Sequence, residues 1–372
     1  MTTRVTFESA TLADAVQKAA RIAPSKGAAF DLAAGLLFEV DPDAQRVVIK
    51  STNLDSTYRQ VLNVTDGKGG ATTWRLPSQL LAGLVSNMPL GSGNTVTFAD
   101  PGDNAIRIMS GNIKAKVKTL DGTFPTIEAF DASKLSSASD FAQKVGQVSW
   151  ACSKAPTHIL SGVHIDGENL IGCDTQSAAL VPCVVPLDAP VTVPIGPLAP
   201  VLRMATDARI GADDRTLYLM LDAETQITAR IFEDKYPDVK AVRPKSHRYE
   251  VELPRQQLID AINRLLVVAR EERMPTVRLT FNVGIVPTLT LDVIVPDSGN
   301  RIQDSVGISG TIPSDNLEVW FTPSALIGAL DNAKGDSTKM QFGPEDESLT
   351  ALSMFRFLDG KGYEALVMPR RP

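Results

Sequence analysis

Few residues in this sequence are suited to catalysis or metal binding. The histidines and cysteines, three of each, are His158, His164, His247, Cys152, Cys173 and Cys183. The sequence contains no His-Glu-x-x-His pattern, no Cys-x-x-Cys pair and no EF-hand loop. Sparse cysteines without a metal spacing are typical of buried free thiols. The sequence therefore predicts no metal site, no disulfide framework and no cofactor.

Acidic residues offer the remaining route to catalysis. Asp213-Asp214 and Glu345-Asp346-Glu347 could hold a cation, although acidic turns are more often simply hydrated. The sequence has no Gly-x-x-x-x-Gly-Lys loop, no Gly-x-Gly-x-x-Gly turn after a strand and no Gly-x-Ser-x-Gly elbow. We therefore predict that the chain is not an enzyme. An enzyme that uses an acidic pair such as Asp213 and Asp214 stays open as an alternative.

The bulk composition indicates a globular protein of several domains. Hydrophobic residues make up 43% and charged residues 22% of the 372 residues, and such a length favours two or three domains. Apolar runs such as 265–269 are far shorter than the roughly 20 residues of a membrane span. The N-terminal residues alternate between polar and apolar types and do not resemble a secretory signal. We therefore predict a cytoplasmic protein without a membrane partner.

Two sequence patterns recur at about one third of the chain length. Residues 119–127 and 231–239 each contain an acidic turn and an aromatic-proline pair, with Pro125 and Pro237 separated by 112 positions. A proline that opens an apolar helix recurs at Pro77, Pro197 and Pro323, and proline suits the first helical turn. These recurrences predict three similar domains, 1–127, 128–242 and 243–372.

Each predicted domain combines two helices with several strands. The predicted helices are 11–23, 77–88, 139–154, 197–209, 254–270 and 323–334. In the fifth, Leu258, Ile262, Leu265 and Ala269 form one apolar face. Strand-like segments such as 46–50, 94–98 and 216–221 are separated by Gly, Asp and Asn turns. The fold class predicted is α+β, with two helices against antiparallel sheets in each domain.

Charge is distributed unevenly between the predicted helices and the remaining residues. The six helices contain ten Lys and Arg against five Asp, a net charge of +5, which leaves −11 elsewhere in a chain of net charge −6. If these helices share one face, that face attracts phosphates while the outside repels them. Ordinary solvated helices could carry the same charge, so a β-rich structural or binding protein stays open as an alternative.

The repeats and several short segments together resemble a known family. The two aromatic-proline junctions, the segments 34–40, 109–114, 160–163 and 277–279, and the ending 363–369 occur in the order and spacing of the bacterial DNA polymerase III beta subunit. The resemblance runs nearly end to end and leaves open whether the source is a bacterium or a phage. It implies a DNA sliding clamp, or processivity factor, that closes as a homodimeric ring around double-stranded DNA without reading its sequence.

The resemblance implies two surfaces for macromolecular partners. Expected contacts with the DNA backbone are Lys18, Arg21, Lys26, Lys144, Lys154, Arg203, Arg209, Arg255 and Arg264. A groove between the second and third domains is expected to bind short peptides of the replicative polymerase, the clamp loader and repair proteins. Its expected wall comprises Leu160, Cys173, Thr175, Gln176, Ser177, Ala178, Pro237, Val242, Leu349, Leu366, Met368, Pro369, Arg370 and Arg371.

The sequence departs from the family pattern at both the groove and the subunit joint. Residues 174–178 read Asp-Thr-Gln-Ser-Ala where Asp-Gly-His-Arg-Leu is common, so the preferred peptide is expected to differ. The chain ends Met-Pro-Arg-Arg-Pro instead of Met-Pro-Met-Arg-Leu or a similar ending. The expected joint residues are Ala115, Val117, Val268 and Ala269, and the first two replace larger apolar side chains.

Overall fold

The structure is a computed structural model. It describes residues 2–24, 33–155, 158–205, 207–269, 275–295, 299–313, 317–343 and 354–371. These residues belong to two compact units. Unit 1 comprises Met1–Gln143, Pro186–Asp188 and Gly196–Glu233, and unit 2 comprises Lys144–Val185, Ala189–Ile195 and Asp234–Pro372. Each unit contains two antiparallel sheets and its own apolar core.

Unit 1 contains a five-stranded and an eight-stranded sheet. The first has the order β5-β1-β7-β8-β9, with β1 (Thr3–Glu8), β5 (Asp66–Lys68), β7 (Thr95–Asp100), β8 (Ala105–Ser110) and β9 (Ile113–Lys118). The second has the order β10-β15-β16-β17-β4-β3-β2-β6, with β2 (Leu36–Asp41), β3 (Arg46–Thr52), β4 (Ser56–Asn63), β6 (Thr72–Leu76), β10 (Ser136–Ala138), β15 (Ala208–Ala212), β16 (Thr216–Met220) and β17 (Thr225–Arg230).

Unit 2 contains a nine-stranded and a four-stranded sheet. The first has the order β14-β11-β12-β13-β26-β25-β24-β18-β22, with β11 (Gly162–Ile165), β12 (Asn169–Cys173), β13 (Ser177–Pro182), β14 (Val191–Pro194), β18 (Tyr249–Pro254), β22 (Ser309–Thr311), β24 (Ser337–Phe342), β25 (Phe355–Leu358) and β26 (Glu364–Val367). The second has the order β21-β20-β19-β23, with β19 (Val277–Asn282), β20 (Thr288–Ile294), β21 (Arg301–Gly307) and β23 (Glu318–Phe321).

The described residues contain six α-helices, close to the predicted positions. They are α1 (Ser9–Ile22), α2 (Ser78–Ser86), α3 (Phe141–Ser149), α4 (Leu198–Leu202), α5 (Arg255–Val268) and α6 (Pro323–Asp331). The predicted apolar face of the fifth helix is confirmed, because Leu258, Ile262 and Leu265 are all buried. No helix in the described part of the chain has the length and apolar character needed to span a membrane.

The fourth helix is much shorter than predicted. It ends at Leu202, and residues 208–212 pair with β16 as a strand, so Arg209 does not lie on a helix. Strand pairing with two neighbours outweighs the weak helical preference of this segment. The third helix also ends early, so that Lys154 lies beyond it.

A single pattern of strands occurs three times along the chain. Four strands follow one another in space as β1-β7-β8-β9, as β10-β15-β16-β17 and as β18-β24-β25-β26. A second set occurs as β6-β2-β3-β4, β14-β11-β12-β13 and β23-β19-β20-β21. The α+β class and the internal repeat that the sequence indicates are therefore confirmed at the level of topology.

A strand set of the first kind joins one of the second kind at two places, and the register of the pairing is the same at both. Within unit 1, β17 pairs with β4 and Ala229 lies opposite Ser56. Within unit 2, β26 pairs with β13 and Val367 lies opposite Ser177. Ser56 and Ser177 occupy equivalent positions, because each closes a turn of the same kind. The Ser56 carbonyl oxygen accepts the backbone N–H of Asn53, and the Ser177 carbonyl oxygen accepts that of Asp174. Two edge strands, β9 and β21, are left without such a partner among the described residues.

Candidate functional site

An apolar cluster forms beside the joint between β13 and β26. Its buried members are Ile171, Cys173, Ala178, Leu180, Tyr236, Val239 and Leu366, and Ile159, Leu160 and Met354 pack against them. Strand pairing explains the arrangement, because Ala178 lies opposite Cys173 on one side and Leu366 on the other. Small side chains at Cys173 and Ala178 leave room beside the larger Tyr236 ring.

The polar atoms of this cluster are held in their neutral forms. Burial raises the pKa of Cys173, and it raises the pKa of the neighbouring Cys152 thiol, which lies outside the cluster, to about 12. Burial likewise raises the pKa of Tyr236, whose hydroxyl lies beside the Cys173 sulfur. Neutral buried thiols are poor nucleophiles. The cluster is therefore suited to apolar contact and not to covalent chemistry.

The segment that carries Tyr236 and Val239 is tied to the sheet by a ring stack and an ion pair. The Tyr236 ring stacks on His164 with centroids 4.8 Å apart, and the His164 Nδ1 lies 2.9 Å from the Thr192 hydroxyl. Lys240 forms an ion pair with Asp166 at 2.6 Å. These contacts hold the segment against β11 and its neighbours.

A buried carboxylate fixes the end of the same segment. Glu364 is 5% exposed and accepts hydrogen bonds from the guanidinium groups of both Arg243 and Arg356. A buried carboxylate with two cationic partners is well compensated, and loss of one partner would leave charge poorly solvated. The chain between Tyr236 and Arg243 is therefore held at both ends.

A cavity of about 480 Å³ adjoins the apolar cluster. Its lining residues are Trp150, Cys152, Ser153, Lys154, Ala155, His158, Leu160, Asp174, Thr175, Gln176, Ser177, Thr322, Ser324 and Ala325. Leu160 belongs to both the cavity and the cluster, so the two surfaces are continuous. We call the cavity and the cluster together the groove.

Trp150 occupies the wall of the cavity next to helix α6. The ring packs against Gly328 so closely that a Cβ atom there would lie 2.3 Å from a ring carbon. The indole N–H donates to the Tyr363 hydroxyl at 3.1 Å. The lack of a side chain at Gly328 therefore sets the position of this aromatic wall.

The turn at residues 174–177 forms the opposite rim of the cavity. The Asp174 carboxylate accepts the backbone N–H groups of Gln176 and Ser177, both at 2.7 Å. The backbone N–H of Met368 donates to the Gln176 carbonyl oxygen at 2.8 Å. The C-terminal segment is thereby fixed beside the turn.

Most of the expected groove residues come together here. Leu160, Cys173, Ala178 and Leu366 belong to the cluster, and Thr175, Gln176 and Ser177 line the cavity. Pro237 and Val242 are exposed on the connecting segment, and the remaining C-terminal residues follow as half-buried Met368, buried Pro369, half-buried Arg370 and exposed Arg371. Leu349 lies outside the described residues.

Several residues of the groove were not expected from the sequence. Trp150, Tyr236, Val239 and Ala325 contribute to it, and Lys154, expected to contact DNA, lines its cavity. Tyr236 could have been found, because it immediately precedes Pro237 in the repeated junction. Trp150 and Ala325 carry no such signal, since only the fold brings α3 and α6 to one cavity.

The cations expected to contact DNA differ in how available they are. Arg21 and Arg203 are exposed and form no ion pair with another described residue. Lys18 is only 7% exposed and its ammonium contacts Asp14 at 2.7 Å. Lys144 is half-buried. Lys26 lies outside the described residues.

Three of the expected arginines are engaged in contacts within the chain. Arg209 donates to the Ala132 and Leu135 carbonyl oxygens, and Arg255 donates to the Gly335 carbonyl oxygen at 2.7 Å. Arg264 pairs with Asp304 at 2.6 Å. The helices as observed carry Lys18, Arg21, Lys144, Arg255 and Arg264 against Asp14, Asp260 and Asp331, so their net charge is +2 and not the predicted +5.

The expected joint residues lie on β9 and at the end of α5. Val117 and Ala269 are buried within the chain, at 3% and 2% exposure, whereas Ala115 and Val268 are half-buried. Ile113 and Val267 lie nearby in sequence and are exposed. Among the described residues, no group of three or more His, Cys, Asp or Glu side chains is placed to hold a metal ion.

Comparison with known proteins identifies relatives of one kind. No protein-family profile matches the chain. The chain is 23% identical over 321 residues to the beta sliding clamp of Synechococcus elongatus, covering 80% of this chain and 81% of that protein. It is 22% identical over 304 residues to the beta sliding clamp of Bacillus subtilis, covering 74% and 78% respectively.

Solved structures agree with the sequence relatives. The beta subunit of DNA polymerase III from Thermotoga maritima matches with a TM-score of 0.80 and 21% identity over all of both chains. A sliding clamp from Bartonella birtlesii bound to griselimycin matches with a TM-score of 0.77 and 20% identity, again over all of both chains. The chain is therefore similar in sequence to beta sliding clamps over most of its length, and it has the fold of beta subunits of DNA polymerase III over all of it.

Proposed function

We propose that this protein is a DNA sliding clamp that encircles double-stranded DNA as a homodimeric ring in the cytoplasm. It is not an enzyme but an accessory subunit that tethers the replicative polymerase, and it is placed on DNA by a clamp loader. Each chain contributes three clamp domains, 1–127, 128–242 and 243–372. The observation that carries the proposal is the threefold strand pattern, in which two equivalent joints form and the matching edges of β9 and β21 have no such joint among the described residues.

The repeat supports a specific joint between two copies of the chain. Counting 112 residues back from Ala229 gives Val117. The Asn300 carbonyl oxygen accepts the backbone N–H of Val295 at 2.9 Å, so Asn300 closes its turn as Ser56 and Ser177 close theirs. Pairing of β9 with β21 of a second copy in the same register places Val117 opposite Asn300 of the partner subunit. Ala115 then lies opposite Ile302 of the partner subunit.

Burial at the equivalent positions supports this joint. Ile227 pairs with Tyr58 and Ala365 pairs with Ala179, and all four are completely buried. The corresponding Ala115 and Ile302 are only half-buried in one chain. Unpaired edge strands with apolar side chains readily pair with another chain. A second copy would cover these residues as the two internal joints cover their equivalents.

The cations on the helices support loose contact with the DNA backbone. Exposed arginines such as Arg21 and Arg203 can approach phosphates without reading bases, as sliding requires. The net charge of −6 keeps the rest of the surface unfavourable for DNA. Retention would therefore come from the closed ring more than from affinity.

The groove supports capture of short peptides from polymerase, loader and repair proteins. An apolar floor next to a cavity with a polar rim is the usual form of a peptide anchor site. Both parts lie within unit 2, so the groove is complete in one chain.

Retention on circular DNA tests the proposal. The purified protein should be a dimer by light scattering and a hollow ring by electron microscopy. After loading by the clamp loader of the same source, it should co-elute with nicked circular DNA and be lost when that DNA is linearised. A monomer without a central hole, or equal retention on linear and circular DNA, would contradict encirclement.

A further inference from the structure

One face of the five-stranded sheet of unit 1 is rich in cations. Arg4 on β1 lies beside Lys68 on β5, and Arg107 on β8 lies beside Lys116 on β9. Ala99 on β7 joins the two pairs into one row, because directly paired residues of antiparallel strands project to the same face. Alternation along β9 places two further lysines on this face. We call the surface the basic face, and its cations, all exposed, are Arg4, Lys68, Arg107, Lys114, Lys116 and Lys118.

The opposite face of the same sheet is apolar and lies in the core. Val5, Phe7 and Phe98 are buried there, and the rings of Phe7 and Phe98 contact each other with centroids 5.4 Å apart. The strands therefore alternate between a core side and a cationic side. The cations on the outer side contribute no packing to the core.

Most of these cations have no anionic partner within the described part of the chain. Lys116 forms an ion pair with Asp103 at 2.6 Å, and the other five form no ion pair with a described residue. Glu8 and Asp66 are the other carboxylates of this face. Six cations against three carboxylates give the face a positive potential, although the net charge of the chain is −6.

The equivalent strands of the repeat do not share this charge. By the register that aligns Val117 with Ala229 and Val367, the positions of Lys114 and Lys116 are occupied by Gln226 and Thr228 in β17 and by Glu364 and Leu366 in β26. Those strands form the same sheets without the lysines. The fold therefore does not require cations at these positions.

The side chains between the cations offer little apolar contact. Among the described residues of this face, Met109 is the only large apolar side chain and it is half-buried, and none is aromatic. Stacking of unpaired bases needs aromatic side chains, and insertion into a lipid surface needs exposed apolar ones. The chemistry of the basic face therefore favours recognition through negative charge alone.

We propose that the basic face binds an acidic, extended polypeptide segment of a partner protein. Lys114, Lys116 and Lys118 follow one another at intervals of roughly 6.8 Å, which is twice the rise per residue of a strand. An extended segment has the same interval, so acidic residues at every second position would each meet a lysine. The phosphates of duplex DNA instead wind around its axis, and their dense charge would also approach Asp66 and Asp103. This inference does not depend on a closed ring, because the basic face lies within unit 1.

Two matched peptides test the inference. Both are fluorescein-labelled dodecapeptides, one alternating Glu with Ser and the other alternating Gln with Ser. Fluorescence anisotropy with the full-length protein should give about fivefold tighter binding of the Glu peptide at about 50 mM salt, and the difference should disappear at about 500 mM salt. Arg4→Glu with Arg107→Glu should abolish this preference. Lys334→Glu with Lys361→Glu, the same charge change at exposed residues of unit 2, should retain it.

Three results would overturn the inference. The first is equal binding of the two peptides by the wild-type protein. The second is an unchanged Glu preference in the Arg4→Glu with Arg107→Glu protein, once circular dichroism shows that it is folded. The third is tighter binding of a duplex of about 16 base pairs than of the Glu peptide, lost in the same double variant, because the face would then bind DNA. A protein that prefers the Glu peptide but is retained equally on linear and circular DNA would support this inference and contradict the proposed function.

Discussion

Gly328 shows how a single residue shapes the groove. Trp150 lies against the backbone of α6 because no side chain intervenes, and its indole N–H is bonded to Tyr363. A tightly packed aromatic ring tolerates added volume poorly. The position of the aromatic wall therefore depends on the absence of a side chain at Gly328, whose carbonyl oxygen accepts a hydrogen bond from the Asn332 amide at 2.9 Å.

Gly328→Ala should lower the free energy of unfolding by about 1–3 kcal/mol, because the new methyl group overlaps the Trp150 ring. Urea unfolding followed by tryptophan fluorescence measures the change. Gly83→Ala is the matched control: Gly83 lies within α2 with open space around it, so alanine should add about 0.5–1 kcal/mol. A Gly328→Ala protein as stable as wild type would contradict the packing described.

His164 makes the stability of unit 2 depend on pH. Burial lowers the pKa of the His164 imidazole from its ordinary value of 6.5. Below about pH 6.5 the unfolded chain therefore binds a proton that the folded chain resists, and stability decreases as the pH falls towards the folded-state pKa. Above about pH 6.5 the imidazole is neutral in both the folded and the unfolded chain, so it no longer lowers the stability.

His164→Gln should reduce the acid sensitivity of the protein. The fall in Tm between about pH 7.5 and about pH 5.5 should be smaller than in wild type by a few degrees at most, because one titrating group is removed. The difference between the two pH values is the informative quantity, since loss of the Tyr236 stack lowers Tm at both. His158→Gln serves as the control at an exposed histidine, and an unchanged pH difference in His164→Gln would refute the argument.

At the scale of elements, the same joint between strands recurs. β17 with β4 and β26 with β13 share one register, and each joint buries an apolar pair completely. The equivalent residues on the edge strands β9 and β21, Ala115 and Ile302, are only half-buried. In the proposed joint, a second chain would cover these residues, and the burial of their apolar surface would stabilise the dimer.

Ala115→Glu should convert the dimer to a monomer. A carboxylate at this position would be buried against Ile302 of the partner subunit without a cation to compensate it, at a cost of several kcal/mol. Light scattering across a dilution series measures the change. Ala44→Glu, in the exposed turn between β2 and β3, adds the same charge and should remain dimeric. A dimeric Ala115→Glu protein would place the joint elsewhere.

At the scale of the whole molecule, charge must attract DNA weakly enough to permit sliding. The observed helices carry less net charge than the sequence indicated, and Lys18, Arg209, Arg255 and Arg264 are engaged in internal contacts. Because fewer cations are free to contact phosphates, we expect the affinity for DNA to depend less steeply on salt concentration. Topological closure would then account for most of the retention.

Arg21→Glu with Arg203→Glu should weaken clamp-dependent processivity several-fold while leaving the dimer intact, because each removes an exposed cation from a helix or its end. Primer extension on singly primed circular DNA, at two salt concentrations, measures the effect. Lys68→Glu with Lys361→Glu changes the net charge equally at exposed strand and loop positions and should have little effect. Equal loss of processivity in both double variants would argue against a DNA-facing role for the two arginines.

The sequence by itself determined the local features of this protein. The Pro-opened helices, the apolar face of α5, the aromatic-proline junctions and the α+β class all follow from short-range spacing. Part of the groove was accessible in the same way, since the turn at 174–177 and the C-terminal segment lie in recognisable positions. Such features depend on neighbours a few residues apart, which the sequence contains directly.

Only the tertiary structure decided which side chains meet and which remain available. Arg209 lies on a strand because β15 finds two partners, and Lys18 is buried against Asp14. Trp150 reaches the groove because Gly328 admits it, and Lys154 joins it there instead of extending a helix. Apart from the local pair of Lys18 with Asp14, contacts between segments far apart in the sequence, such as β10 with β15 and Trp150 with Gly328, decide these outcomes. Local periodicity carries no information about such contacts.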